Sequence, residues 1–331
     1  MDGLSLRPYH LLRWVTTFLL LFGTACAGYP SELTRESLTD FQLQTMASPQ
    51  TGSHWWHAED PKAVALVVHG LNLRPTAMND IAQLLQEAGT DVLTISLSGH
   101  AVELDEDSRL VQFREADFSA WQADVLHGVA MAGERARELQ RPLYLVGFSL
   151  GGLLSADYVS LQSQLDAVQV DRMVLFAPAI VLRWSSYALM PFQVFPDIFL
   201  PSVSPELYRA NDYAPASAYL SLYDGVRLMR DSVTDGLNIP TLLFMNPRDE
   251  LVSDNGLRDF IEEFELSRWQ YIEVEKSEGA AATLDHLIIG PHALGDETWQ
   301  EVSNQMLEFL HLTDPNGTDS NAELADFQAT P

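Results

Sequence analysis

The chain has 331 residues, of which 19 are Lys or Arg and 46 are Asp or Glu, giving a formal net charge of −27 at pH 7. So acidic a chain lacks the basic face that phosphate backbones require, which argues against nucleic acid as a ligand and disfavours anionic membrane surfaces and polyanionic substrates. With 47% apolar, 10% aromatic and 20% charged residues it is neither disordered nor fibrous, and its length suits one large globular domain with insertions, or at most two domains. Lys62 and Lys276 are the only lysines, and neither Lys nor Arg follows Lys276. Two readings of this stay open: a strongly hydrated, salt-tolerant surface, or a base composition biased towards Arg. The single cysteine, Cys26, excludes an intramolecular disulfide framework and any Cys-rich metal site.

The N-terminus carries Arg7, His10 and Arg13 ahead of a nearly apolar run, Trp14 to Ala25. That run is too short to span a bilayer, and the pattern is that of a secretory signal peptide over residues 1–26. Gly23, Thr24, Ala25 and Cys26 resemble the lipobox of bacterial lipoproteins, with Gly23 where that family has Leu. The resemblance implies lipid attachment at Cys26 and a mature chain held to a bacterial membrane, facing the periplasm or exterior. Cleavage after Ala27, at a small-x-small site, implies a periplasmic or secreted protein instead.

From residue 27 to 312 short β-branched runs alternate with amphipathic stretches. Phe41 to Met46 and His54 to His57 read as an antiparallel hairpin at a sheet edge. Strands are then predicted over Ala63 to Val68, Asp91 to Leu97, Pro142 to Val146, Met173 to Phe176, Thr241 to Met245 and Trp269 to Val274. Several are apolar without alternation, as expected of strands covered on both faces. Helical spacing recurs over Thr76 to Ala88, Phe118 to Leu139, Leu150 to Gln162, Leu257 to Phe264 and Glu297 to Leu312. This alternation predicts an α/β fold, a mostly parallel central sheet with helices on both faces. The stretch from about 180 to 237 breaks the rhythm. Between 180 and 223 it holds nine aromatics and five prolines, too many for a simple connection, and reads as a cap over the C-terminal edge of the sheet. The acidic tail, 313–331, has the composition of a disordered segment.

The run Leu143 to Gly152 (LYLVGFSLGG) is a strand, a G-x-S-x-G pentapeptide and a helix start. A nucleophile on so sharp a turn has strained backbone, so positions two before and two after it must lack side chains; Gly147 and Gly151 meet that need. The turn sets Ser149 at a helix N-terminus, where backbone N–H groups favour developing negative charge.

At this point the mature chain resembles the α/β-hydrolase family, in its monoglyceride lipase-like, lysophospholipase-like and serine aminopeptidase-like branch. His69, Gly70, Leu71 and Pro75 are similar to the family's H-G-x-x-x-x-P segment, and Ser98, Gly99 and His100 to its G-H-G turn, with Ala101 replacing the last glycine. The resemblance implies that His69 is structural and that the backbone amides of Leu71 and Leu150 form an oxyanion hole. It also implies the chain order Ser, acid, His. Asp249, after the strand Thr241 to Met245, matches the acid position, with Glu250 and Asp254 as alternatives. His286, before the apolar run Leu287 to Ile289, matches the histidine, with His292 as its rival. His54 and His57 have metal-like spacing but no partner cluster, and no metal or cofactor is expected.

These residues imply acyl transfer to water, with His286 deprotonating Ser149. An aromatic-rich cap suits a small apolar ester, so an exported carboxylesterase, monoacylglycerol lipase or lysophospholipase is the expected enzyme. A serine aminopeptidase, using Glu206, Asp212 or Asp224 to clamp a substrate ammonium, is the alternative on the same fold. Acyl transfer to another acceptor and a binding protein with a vestigial triad are further alternatives.

Overall fold

The computed structural model describes residues 52–163 and 168–313. The signal peptide, Cys26, the run Phe41 to Met46 and the tail beyond residue 313 lie outside them. In chain order the elements are β1 (His54–Trp56), β2 (Ala63–Val68), α1 (Asn79–Glu87), β3 (Thr90–Ile95), α2 (Glu106–Glu115), α3 (Phe118–Leu139), β4 (Leu143–Phe148), α4 (Leu150–Leu161) and β5 (Arg172–Phe176). There follow β6 (Phe199–Pro201), β7 (Tyr213–Pro215), α5 (Ala216–Asp231), β8 (Thr241–Met245), α6 (Asp254–Glu263), β9 (Trp269–Glu273), α7 (Pro291–Leu294) and α8 (Asp296–Phe309).

Among the described residues seven strands form one sheet in the order β1-β3-β2-β4-β5-β8-β9, and of these only β1 runs antiparallel to its neighbour. The mostly parallel sheet with flanking helices that the alternation predicts is therefore present. Strands β2, β3 and β4 are buried along their whole length, which is why their sequences (AVALVV, TDVLTI, LYLVGF) lack a period of two. Each fully buried Val or Leu among them contributes about 1.5–3 kcal/mol relative to exposure. The chain moves outward from β2 to β3 and then crosses back to β4, so the strand order reverses between β2 and β4. In open parallel sheets that reversal leaves a crevice at the carboxyl ends of the strands. Val68 is in register with Gly147, so β2 and β4 deliver their following loops to the same spot.

Helices α2, α5 and α7 were not among those predicted. Residues 106–115 form α2, of which only Phe113 is buried, so an apolar stripe is missing. What starts it is a cap: the Asp105 carboxylate accepts the Ser108 N–H at 2.9 Å. The stretch between β5 and β8 holds a segment of tight helical turns, Trp184–Val194, the antiparallel pair β6–β7, and α5. It is bonded to the loops that follow β2 and β8. Arg74 donates its backbone N–H to Tyr208, Ala210 donates to Asn72, Arg183 donates to Leu251, and Ser253 donates to Val181.

Helix α4, which Ser149 caps, is buried on every side except at Leu161 and contains Asp157, 4% exposed. Its carboxylate accepts from Gln122 Nε2 at 2.7 Å, and burial pushes its pKa up to about 6. A carboxyl whose folded pKa is raised stabilises the fold relative to its charged form at low pH, and that contribution is lost as pH climbs from about 4 to about 6. Asp157→Asn is accordingly expected to raise stability by up to about 3 kcal/mol at pH 8 and much less at pH 4.5. Chemical denaturation of parent and variant at both pH values checks this; a benefit independent of pH contradicts it.

Candidate active site

Four strand ends supply the site. Ser149 follows β4 directly, with φ 53° and ψ −115°, outside the regions that ordinary residues prefer. Its backbone is held in that conformation from both sides: its N–H donates to Phe176 at 3.0 Å, and its carbonyl accepts from Ala179 at 3.0 Å. The flanking glycines are required by contact. A Cβ on Gly147 would lie 2.5 Å from the carbonyl oxygen of Gly151, and one on Gly151 would lie 2.2 Å from that of Val68. No side chain fits at either position.

Asp249 lies in the turn after β8 and is fully buried. Its Oδ1 accepts the backbone N–H groups of Leu251 at 2.7 Å and Val252 at 2.8 Å, leaving Oδ2 for His286 Nδ1 at 2.7 Å. His286, 5% exposed, follows β9 by a long loop and sets Nε2 2.9 Å from Ser149 Oγ. A carboxylate can only accept, so Nδ1 carries the proton and Nε2 presents its lone pair to the serine hydroxyl. The three residues singled out in the sequence are thus brought together in one chain of hydrogen bonds.

The rival residues have other partners. Glu250 accepts the backbone N–H groups of Asp285 at 3.0 Å and His286 at 3.1 Å, one on each carboxylate oxygen. It holds the histidine's main chain while its neighbour Asp249 holds the ring. Asp254 opens α6 and accepts the hydroxyl of Tyr271. His292 Nδ1 meets the Tyr208 hydroxyl at 2.9 Å. The histidine loop is pinned further by Lys276, whose Nζ donates to Thr283 O, Thr283 Oγ1 and Leu284 O at 2.7–3.1 Å. Burial lowers the Lys276 pKa.

Gly70 lies against the serine: a Cβ on Gly70 would be 3.1 Å from the Cβ of Ser149. Leu150 is the first residue of α4, where N–H groups have no partner within the helix. Of the two residues named as oxyanion donors, Leu150 directly follows Ser149, and Leu71 directly follows Gly70, which lies against it. His69 and His100 sit behind them, fully buried. His69 Nδ1 donates to Gly70 at 2.8 Å while Nε2 accepts from Leu97 N–H at 3.1 Å; His100 Nδ1 donates to Ser98 at 3.0 Å while Nε2 accepts from Asn72 N–H at 2.8 Å. Burial holds His69 down to about 4 and His100 well below the ordinary histidine value, so both act as neutral struts between loops. Sequence reasoning assigned His69 a structural part and His100 a place in the G-H-G-like turn, but gave no role to Asn72 or Lys276. The positive φ of Asn72, 52°, has no signature in an isolated H-G-L-N string. Among the described residues no group of three or more His, Cys, Asp or Glu is gathered to hold a metal ion.

Residues 59–220 match a family model described as serine aminopeptidase. No curated protein matches the chain in sequence. Among solved structures it is similar to that reported for LipS and LipT, two metagenome-derived lipolytic enzymes, at 18% identity and TM-score 0.62, covering 80% of this chain and 100% of the other. A soluble variant of monoglyceride lipase from Saccharomyces cerevisiae, in complex with a substrate analog, aligns at 13% identity and TM-score 0.63 over 79% and 91% of the two chains. Monoacylglycerol lipase from Paleococcus ferrophilus aligns at 15% identity and TM-score 0.55 over 79% and 98%.

Proposed function

We propose that the chain is a serine hydrolase of the α/β-hydrolase fold that cleaves carboxylic esters with apolar acyl groups through an acyl-enzyme on Ser149. The observation that carries this reading is the continuous Asp249–His286–Ser149 chain of hydrogen bonds beside Gly70. Ser149 Oγ attacks the ester carbonyl as His286 Nε2 takes its proton. The amides of Leu71 and Leu150 receive the negative charge on the carbonyl oxygen, and the protonated imidazole returns the proton to the departing alcohol. Water then repeats the cycle on the acyl-enzyme. Asp249 holds the ring in one tautomer and stabilises the imidazolium.

Two features support an apolar acyl group. The structural relatives named above are lipolytic enzymes and monoacylglycerol lipases. In addition, Trp184, Val194, Phe195, Val203 and Leu207 are exposed on the stretch between β5 and β8, which we take as the cap. Export and lipid attachment at Cys26 complete the proposal and rest on the sequence of residues 1–26. The family description favours aminopeptidase activity as a second reading. Against it, Glu206, Asp212 and Asp224 are all exposed, Asp212 is paired with Arg209 at 2.7 Å and Asp224 with Arg227 at 3.7 Å.

A panel of p-nitrophenyl esters from acetate to octanoate, run beside aminoacyl p-nitroanilides, separates the two. Ester turnover with kcat/KM rising along the chain-length series is expected. Anilide turnover without ester preference would favour the peptidase.

A further inference from the structure

Asn72 follows the proposed oxyanion donor Leu71 and takes a left-handed conformation, which asparagine tolerates better than most residues. Every polar group it has is used. Its backbone N–H donates to His100 and its carbonyl accepts from Ala210 at 3.0 Å. Its side-chain amide donates to Ser202 Oγ at 2.9 Å and to the Asn211 carbonyl at 3.0 Å, and accepts from the Asn211 backbone and side-chain N–H groups, each at 3.1 Å. Asn211 is equally engaged, with its Nδ2 also donating to Gly99 and its Oδ1 accepting from Arg109 Nε at 2.7 Å. The two residues are 3% and 1% exposed and stand 139 positions apart.

A buried polar network so fully satisfied rigidifies what it touches. Here it ties the oxyanion loop to the G-H-A turn, to α2 and to the stretch between β5 and β8 at one point. Packing alone does not require it, because an apolar pair fills such a space without six matched hydrogen bonds. We infer that Asn211 is a positioning residue for the oxyanion hole: acting through Asn72, the cap segment holds the Leu71 amide at the place where charge develops. The cap then contributes to the chemical step itself, besides enclosing substrate. This inference rests on the ester-hydrolase reading and on Leu71 as a donor.

The test is Asn211→Ala in the full chain, assayed with p-nitrophenyl butyrate well below each protein's melting midpoint. Misplacing a catalytic group by about 1 Å costs on the order of 100-fold, so kcat is expected to fall about 10- to 100-fold with KM changed by less than about threefold. An aryl trifluoromethyl ketone supplies a readout that a merely structural role leaves unmoved. Ser149 Oγ adds to its carbonyl carbon, the hydroxyl proton passes to His286, and the carbonyl oxygen becomes an oxyanion at the two amides. Its inhibition constant is expected to rise by the same factor as kcat/KM falls, with the acid limb of the pH profile unshifted. Should Asn211→Ala not fold, Arg109→Ala decides; it removes one bond to Asn211 and is expected to give a smaller fall, about threefold or more, in the same pattern. Undiminished kcat, or a rise in KM alone, overturns the inference. A parent protein that fluorophosphonates do not label removes the hydrolase reading itself, whereas a labelled parent with a fully active Asn211→Ala variant removes only this inference.

Discussion

Replacing Ser149 with alanine is expected to lower kcat for ester hydrolysis by on the order of 10⁶-fold while leaving the melting temperature nearly unchanged. The size of the loss follows from the geometry. His286 Nε2 is 2.9 Å from Ser149 Oγ, so the base and the nucleophile act as one unit, and without the hydroxyl the imidazole has no group to activate for acyl transfer. The fold survives because the strained turn is held by main-chain atoms: Ser149 N–H to Phe176, Ala179 to the Ser149 carbonyl, and Leu153 to the same carbonyl. Alanine makes all three. Steady-state kinetics and thermal denaturation on the same preparation check both halves, and a residual kcat within 100-fold of the parent would contradict the assignment of the nucleophile.

Asp249→Asn is expected to cost about 10⁴-fold in kcat, against tenfold or less for Glu250→Gln. The asparagine Oδ1 can still accept from Leu251 and Val252, so the turn persists. Its amide group then faces His286 Nδ1 where a carboxylate oxygen stood. Two donors cannot share that contact, so the imidazole is driven to the other tautomer, with N–H on Nε2 directed at the serine and no lone pair left to take its proton. Glu250 acts at one remove. Glutamine keeps one acceptor for the Asp285 and His286 amides, and the ring contact to Asp249 is untouched. The kcat values of the two variants, measured at one saturating ester concentration, settle the acid; the reverse order of losses would assign it to Glu250.

The sheet was legible because its signal is local. A run such as AVALVV, buried at every position, has no other comfortable place than a parallel strand covered on both faces. The nucleophile turn was legible for a related reason: the need for glycine at 147 and 151 is a steric demand, and the atoms that a Cβ would strike are main-chain atoms fixed by the fold. Helix α2 was missed because it buries only Phe113, so its one sequence sign is the Asp105 cap. The acid was narrowed to neighbours that spacing cannot separate. Asp249 and Glu250 adjoin in sequence, and only the fold shows that one meets the ring and the other the main chain of the same histidine. The Asn72–Asn211 pair was beyond reach, since its two halves are far apart in sequence and neither residue type is unusual where it stands.

In the proposed mechanism the hydrogen-bonded chain from Asp249 through His286 activates the Ser149 hydroxyl, and a fluorophosphonate reports such a hydroxyl directly. After treatment of the protein with a fluorophosphonate and proteolysis, mass spectrometry is expected to place a single phosphonyl adduct on Ser149, at near-stoichiometric yield and absent from Ser149→Ala. An adduct on another residue, or an untouched parent protein, would contradict a serine nucleophile at this position.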